Sequence, residues 1–312
     1  MSGSAPVASG AVGPARRGRR APREGLGGRV NTLPLVAPSV GLLLLWTFIP
    51  LALTIWYSLL RYNLLNPLIH GFAGLNNYRY LFQDPTLYSS LFVTVVLVCA
   101  VLAVSVGLGA VLAALFQTEF PGQGVARVLM ISPFFVMPTV SALVWKNLLM
   151  QPVNGLFAFF ARSVGLPAFD WFGQAPLASV ILIVCWEWLP FAFLILLTAL
   201  QSLDEEQLEA ARLDGAGPVA TFLYIQVPHM GRAISVVVMM ETIFLLGVFA
   251  EIYVTTAGGP GAATTNLAFL IYQRALLAFN VGSASAAGVI AIVLANIMAA
   301  FLVRTVAKRL DV

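Results

Sequence analysis

Six long apolar stretches alternate with short polar segments along the chain. A bilayer core about 30 Å thick needs about 20 apolar residues for one helical span, and each stretch reaches that length. The third stretch contains Pro133 and Pro138, which a membrane helix tolerates where neighbouring helices satisfy the freed carbonyl groups. The pattern predicts an all-α, polytopic membrane protein with six transmembrane helices. These spans are residues 33–60, 89–116, 125–149, 176–200, 233–254 and 278–303.

The composition supports this class of protein and excludes several others. The chain is 60% hydrophobic and 10% charged, with a mean hydropathy of +0.91, which no ordinary soluble domain has. Cys99 and Cys185 both fall inside predicted spans, so no disulfide framework is expected. His70 and His229 are predicted on opposite sides of the membrane. We therefore predict no metal site and no cofactor, and no nucleophile–base set that would indicate catalytic residues.

Basic residues indicate how the chain is oriented. Residues 1–30 are rich in Ala, Gly, Arg and Pro and are predicted to be a disordered tail, whereas residues 31–312 form the transmembrane domain. Six arginines of the tail precede the first span, and Arg304, Lys308 and Arg309 follow the last. The positive-inside rule then places both termini in the cytoplasm. The basic tail predicts contact with anionic membrane lipid, and it lacks the interleaved aromatics that would favour nucleic-acid binding.

The polar loop between the fourth and fifth stretches, residues 201–231, has a helix–glycine–helix pattern. Ser202 and Glu205 have the spacing of a capping box, which predicts a helix that begins at Ser202 as N-cap. Gly215 suits a left-handed cap at the end of that helix. Pro218 favours the start of a second short helix, predicted over Val219–Gln226.

One face of this loop offers a surface for another protein. Ala210 and Ala211 are small enough to allow close approach of a second surface, in the manner of a helix that docks in a groove. Glu209 adds a carboxylate for an ionic contact. The alternative interpretation is a solvated acidic loop that only links two spans.

Two glutamates lie inside predicted spans. Glu187 stands between Trp186 and Trp188, and Glu241 lies in the fifth stretch. Ionisable groups at such depth face a cavity or a partner. Because aromatic faces stack on sugar rings and carboxylates accept hydroxyl hydrogen bonds, Trp186, Glu187 and Glu241 are candidate substrate contacts. The alternative is that either glutamate only satisfies polar groups of a neighbouring helix.

The loop also carries a family motif. It resembles the EAA loop of permease subunits of binding-protein-dependent ABC importers, with Val227 where leucine is usual. Three further segments, residues 72–78, 188–191 and 258–261, resemble the maltose-type carbohydrate permeases, and the likeness runs from about Leu33 to Arg309. Residues 251–272 look similar to sorbitol/mannitol-type polyol permeases. The motif reads Glu209-Ala210-Ala211-x3-Gly215-x9-Ile225-x-Val227-Pro228.

The resemblance implies a fold, partners and a substrate class. It implies a type I ABC importer permease in the plasma membrane of a prokaryote, with residues 201–231 (the EAA loop) as a cytoplasmic coupling helix. The partners would be a dimer of ATP-binding subunits, a second permease chain as heterodimer partner, an extracytoplasmic substrate-binding protein and a sugar or polyol substrate. The chain has no phosphate-loop motif, so ATP hydrolysis would belong to a separate subunit. The coupling residues would be Glu209, Ala210, Ala211, Gly215 and Pro228.

An ion-coupled secondary transporter is the competing interpretation, with Glu187 or Glu241 as the ion-coupling group. No inverted repeat is detectable in the sequence, which counts against a carrier of this kind. The two classes differ in the inhibitors that stop their solute uptake. Vanadate stops uptake by an ABC importer, whereas a protonophore stops uptake by an ion-coupled carrier.

Overall fold

The protein is described by a computed structural model that covers residues 33–66, 68 and 71–310. The predicted tail and His70 lie outside these residues. The described chain is predominantly helical, and it also contains a pair of two-residue antiparallel strands, β1 (Leu60–Arg61) and β2 (Gly71–Phe72). The helices are α1 (Leu33–Ser58), α2 (Asn76–Gln83), α3 (Pro85–Leu115), α4 (Gln123–Ile131), α5 (Pro138–Val144), α6 (Leu156–Ser163), α7 (Trp171–Gln174), α8 (Pro176–Leu200), α9 (Glu205–Leu213), α10 (Pro218–Thr221), α11 (Val227–His229), α12 (Gly231–Leu245), α13 (Ala250–Thr255), α14 (Leu267–Tyr272) and α15 (Val281–Leu310).

Short turns of other helical geometry extend several of these helices. A 3₁₀ turn follows α4, and π turns follow α5, α10 and α14. These turns are Ser132–Phe135, Trp145–Leu149, Phe222–Gln226 and Gln273–Leu277. Segments that are interrupted in this way bend more readily than a regular α-helix.

The chain divides into two compact units, Met1–Phe48 and Ile49–Val312. The described part of the first unit is the beginning of α1, where every side chain from residue 36 to residue 48 is exposed. Trp46, for example, is 82% exposed. In the second unit, apolar cores join α3, α8, α12 and neighbouring segments.

Four of the described helices are long and apolar enough to cross a membrane. They comprise Val36–Ser58, Pro85–Leu115, Pro176–Leu200 and Val281–Phe301. Two bent pairs, Gln123–Phe135 with Pro138–Leu149 and Pro218–His229 with Gly231–Leu245, would each add one span. The predicted fold class, all-α and polytopic, is confirmed.

The third predicted span differs from a single helix. The two halves of this region meet at 106°, because two prolines interrupt it. Pro133 lies in the 3₁₀ turn, and Met137, just before Pro138, is extended with φ −62° and ψ 136°. A residue that precedes proline is disfavoured in the α conformation. The chain therefore changes direction here, and α5 runs on to pack against α8 and α13.

The second predicted span begins earlier than its apolar pattern indicates. Asp84 caps α3 by accepting a hydrogen bond from the Thr86 amide at 2.8 Å, and Pro85 occupies the first turn. Both features favour a helix start. Asp84 also forms an ion pair with Arg274, which links the start of α3 to the π turn after α14.

The closest packing of long helices is between α3 and α8. A Cβ added at Gly109 would lie 3.0 Å from the Cβ of Ala192 and 3.2 Å from the backbone nitrogen of Phe193. Only glycine allows the two backbones to approach this closely. The contact holds α3 and α8 in one register along the apolar core.

Candidate functional site

The EAA loop folds into two helical segments joined by Gly215. The first is α9, and the second runs without a break from Pro218 through α10, a π turn and α11 to His229. The second helix is therefore longer than the predicted Val219–Gln226. In the π turn the Val227 amide donates to the Phe222 carbonyl, five residues back. This wider hydrogen-bonding pattern accommodates Pro228, which has no N–H to donate.

The predicted capping box at the start of α9 is wrong. The N-cap is Asp204, which makes no side-chain capping bond. The Ser202 hydroxyl instead donates to the Ala199 carbonyl at 2.7 Å and lies 3.1 Å from Nε2 of His229. Ser202 is still part of the turn that ends α8, so its side chain satisfies a free carbonyl of that helix rather than an amide of the next.

The left-handed cap predicted at Gly215 is present. Its φ is +81°, its amide donates to the Arg212 carbonyl at 3.1 Å, and the Ala216 amide donates to the Ala211 carbonyl at 2.9 Å. These are the two hydrogen bonds of a Schellman motif. A Cβ at Gly215 would meet nothing within 4 Å, so backbone conformation, not space, favours glycine here.

The proposed contact face of α9 is only partly as predicted. Glu209, Ala210, Gly215 and Pro228 are exposed, but Ala211 is buried within the chain. Ala210 alone of the two alanines is therefore open to a partner. Four large apolar side chains add to the exposed surface of the loop and were not singled out by the sequence. They are Leu213 at 89%, Val219 at 72%, Leu223 at 51% and Tyr224 at 80% exposure.

A cleft of about 860 Å³ opens beside this loop, between the end of α3, α9 and the segment that begins at Pro218. Glu119, Glu205 and Glu209 line it together with Arg212. Acidic residues in the first turn of α9 also suit the positive end of its helix dipole.

Inside the membrane domain, the structure separates the two predicted glutamates. Glu241 of α12 is fully buried and accepts a hydrogen bond from the Ser105 hydroxyl of α3 at 2.6 Å. Glu187 of α8 is buried beside Ser141 of α5 and Glu251 of α13. Glu251 was not predicted as a site residue, although a glutamate in an apolar stretch is the same signal that drew attention to Glu187.

Several buried polar atoms around Glu187 have no hydrogen-bond partner among the described residues. They include Oε1 of Glu187, the hydroxyl of Ser141 and the indole nitrogen of Trp145. The Trp145 ring also packs edge-on against Trp186, with ring centroids 5.8 Å apart. Trp186 and Glu187 thus belong to a cluster with open donors and acceptors, a condition that buried polar groups rarely keep without a ligand or water.

A second aromatic group surrounds Trp188. Its ring lies 5.9 Å from Phe134, 6.0 Å from Phe191 and 5.2 Å from Phe244, centroid to centroid. Phe134 and Phe244 remain partly exposed. The sequence brought Trp188 together with Phe191 in one segment, but Phe134 and Phe244 come from distant parts of the chain.

We expect Ser105→Ala to lower the free energy of unfolding by about 2 kcal/mol, since it leaves the Glu241 carboxyl without its hydrogen-bond donor. Thermal unfolding of the purified protein in detergent would measure this loss. Ser90→Ala on the same helix is the matched control. The Ser90 hydroxyl is buried with no partner among the described residues, so its removal should be neutral or stabilising. Equal losses in both variants would contradict the assigned role of Ser105.

A polytopic helical domain with a helix–glycine–helix loop between two of its spans has the features expected of a membrane transport permease. Residues 105–312 match the family described as "Binding-protein-dependent transport system inner membrane component". The chain therefore belongs to this family of ABC transporter permeases, and it is a transport subunit rather than an enzyme.

Individual relatives and a solved structure agree with this assignment. A probable ABC transporter permease protein, y4oQ of Sinorhizobium fredii, is 31% identical over 83% of this chain and 84% of its own length. The trehalose/maltose transport system permease protein MalF of Thermococcus litoralis is 32% identical over 80% of this chain and 85% of its own. A chain of a bacterial alginate ABC transporter, crystallised with an alginate pentasaccharide-bound periplasmic protein, has the same fold. Its TM-score is 0.72 at 20% identity, over 86% of this chain and 91% of that one.

Proposed function

We propose that this chain is one permease subunit of an importer that moves a sugar or sugar alcohol into the cytoplasm, driven by ATP hydrolysis in a separate subunit. The observation that carries the proposal is the exposed surface of the EAA loop. In this loop Glu209, Ala210, Leu213, Val219 and Tyr224 are all exposed. Exposed apolar side chains together with a carboxylate, next to a helix that ends in a well-formed cap, fit docking to a partner protein.

The proposed partners follow from the family, and they would contact the protein on the two sides of the membrane. A dimer of ATP-binding subunits would receive the EAA loop, with Glu209, Ala210, Ala211, Gly215 and Pro228 as the coupling residues. Because Ala211 is buried, it would contribute by packing within the loop and not by direct contact with the partner. A second permease would complete the pathway, and an extracytoplasmic binding protein would deliver the solute. The basic residues at both termini favour a cytoplasmic location for the termini and the EAA loop, and contact of the tail with anionic lipid.

The cluster around Glu187 supports a hydroxyl-rich solute. Trp186 supplies a ring face, Glu187 and Glu251 supply acceptors, and Ser141 supplies a further hydroxyl. Among the described residues, no lysine or arginine makes an ion pair with either glutamate. Glu241 is proposed as a further contact through the carboxylate oxygen that Ser105 does not use.

The similarity to a trehalose/maltose permease supports a sugar, and the resemblance of residues 251–272 to sorbitol/mannitol permeases favours a sugar alcohol. Binding isotherms of the purified cognate binding protein with a neutral sugar, a polyol and a sugar phosphate would decide among these solutes. Tightest binding of the sugar phosphate would contradict an unmodified sugar or sugar alcohol as the solute.

We expect ATP-dependent uptake that vanadate stops and a protonophore leaves intact. The measurement is uptake of labelled sugars and polyols into cells that express the complete transporter. Trp186→Ala should reduce uptake at low solute concentration by on the order of tenfold, which corresponds to a loss of about 1.4 kcal/mol of binding. Leu182→Ala, at a partly exposed position of the same helix, should leave uptake unchanged.

The opposite inhibitor pattern would favour the ion-coupled carrier, for which Glu187 or Glu241 would be the coupling group. Equal uptake by Trp186→Ala and by the wild type would remove Trp186 from the substrate site but would leave the importer class intact.

A further inference from the structure

The ends of three helical segments meet at a pair of glutamine side chains. Gln117 follows the end of α3, Gln226 closes the π turn of the EAA loop, and Leu200 is the last residue of α8. Nε2 of Gln226 donates to Oε1 of Gln117 at 2.7 Å, and Nε2 of Gln117 donates to the Leu200 carbonyl at 3.4 Å. Gln226 is 9% exposed. Two amides thus connect the EAA loop with both long helices of the core.

The direction of the short bond follows from the chemistry of its neighbours. The Leu200 carbonyl can only accept a hydrogen bond, so Gln117 must turn its amino group toward it. The carbonyl oxygen of Gln117 then faces Gln226, which must act as the donor. In this arrangement a carboxylate at position 117 could still accept the hydrogen bond, whereas a carboxylate at position 226 could not donate it.

This bond is the sole hydrogen bond between the EAA loop and α3 or the turn after it among residues 33–66, 68 and 71–310. The bond is partly buried: Phe222 and Ile225 of the loop pack on the core that contains Phe116 and Leu200, while both glutamines also line the cleft. A hydrogen bond in partly apolar surroundings is stronger than one in bulk water. The bond therefore offers a direct connection between the π turn and the end of α3.

We propose that Gln226 and Gln117 are positioning residues that pass movement of the EAA loop to α3 and so keep ATP hydrolysis coupled to import. Because α3 is packed on α8 through Gly109, a shift at this end carries the helix pair with it. The proposal rests on the importer function proposed above and adds to it the residues through which the loop acts on the membrane helices.

The test compares two isosteric variants, Gln226→Glu and Gln117→Glu. Each replaces one amide by one carboxylate and adds the same negative charge beside the same cleft. Gln226→Glu removes the donor and breaks the 2.7 Å bond, whereas Gln117→Glu keeps an acceptor for Gln226 and loses only the 3.4 Å contact to Leu200. A purely structural demand for packing would not distinguish the two positions.

The measurement is the number of solute molecules imported per ATP hydrolysed, with the complete transporter and its binding protein in proteoliposomes. We expect Gln226→Glu to lower this ratio roughly five- to tenfold, the size of effect that loss of one partly buried hydrogen bond has on an equilibrium, while ATP hydrolysis continues. Gln117→Glu should keep the wild-type ratio. Gln226→Lys, which restores a donor to Gln117, should recover most of the ratio lost in Gln226→Glu.

Two results would overturn the proposal. One is a wild-type ratio in Gln226→Glu; the other is an equal loss in Gln226→Glu and Gln117→Glu, which would indicate only disturbed packing or added charge. Should Gln226→Glu fail to assemble, the recovery in Gln226→Lys decides, since a lysine that assembles without restoring the ratio contradicts the donor role. Failure of the importer function itself is distinct, because the wild type would then import no solute with ATP.

Discussion

Gly215→Pro is expected to reduce uptake to background while the protein remains in the membrane at its normal level. Proline fixes φ near −65°, but residue 215 has φ +81°. Proline also removes the amide that donates to Arg212. The end of α9 must then unwind, so Glu209 and Ala210 lose their fixed direction relative to Pro218. Uptake by whole cells, together with immunoblotting of membranes, measures both parts of this result.

Gly215→Asn is the matched control. Asparagine is the side-chain-bearing residue that most readily adopts the left-handed conformation, and an added Cβ meets no atom within 4 Å. This variant should keep most of the wild-type uptake. Normal uptake in Gly215→Pro would show that the geometry of the EAA loop does not matter for transport, and the coupling role proposed for it would have to be abandoned.

Gly109→Leu is expected to prevent accumulation of folded protein. The added side chain would be forced against Ala192 and against the backbone of Phe193, at distances of 3.0 and 3.2 Å for the Cβ alone. Backbone cannot move aside as a flexible side chain can, so α3 and α8 must separate. Overpacking of this kind costs about 3 kcal/mol. Membrane protein level and thermal unfolding in detergent would record the loss.

Gly107→Leu provides the comparison on the same helix. Gly107 is exposed and an added Cβ meets nothing within 4 Å, so the leucine can face lipid. We expect a change within about 0.5 kcal/mol. If Gly107→Leu were as destabilising as Gly109→Leu, the effect would come from loss of glycine in the helix and not from the contact with α8.

The helices that were most accurately predicted are those with uninterrupted apolar sequence. The fourth stretch, residues 176–200, coincides with α8 (Pro176–Leu200), in which Glu187 is the sole charged residue and Pro190 does not end the helix. The third stretch was also predicted as one span, but Pro133 and Pro138 divide it into segments that meet at 106°. Hydropathy indicates which segments avoid water, but it does not indicate where a helix axis changes direction.

Local capping shows the same distinction. Gly215 was predicted as a left-handed cap because glycine has a conformational advantage that depends on its own backbone. Ser202 was assigned to the wrong helix. Its hydroxyl could donate to a free carbonyl at the end of α8 or accept from an amide at the start of α9, and in the structure it donates to the Ala199 carbonyl of α8. A side chain that can serve either of two adjacent helices is not assigned by spacing alone.

By itself, the sequence determined the class of protein, the apolar segments and the motif of the EAA loop, because these depend on residues that are near one another along the chain. Only the tertiary structure decided that Glu187 lies beside Glu251, that Glu241 pairs with Ser105, and that Gln226 reaches Gln117, 109 residues earlier. Such pairs form where helices cross. The crossing points are set by close contacts such as that of Gly109, which hydrophobic periodicity does not specify.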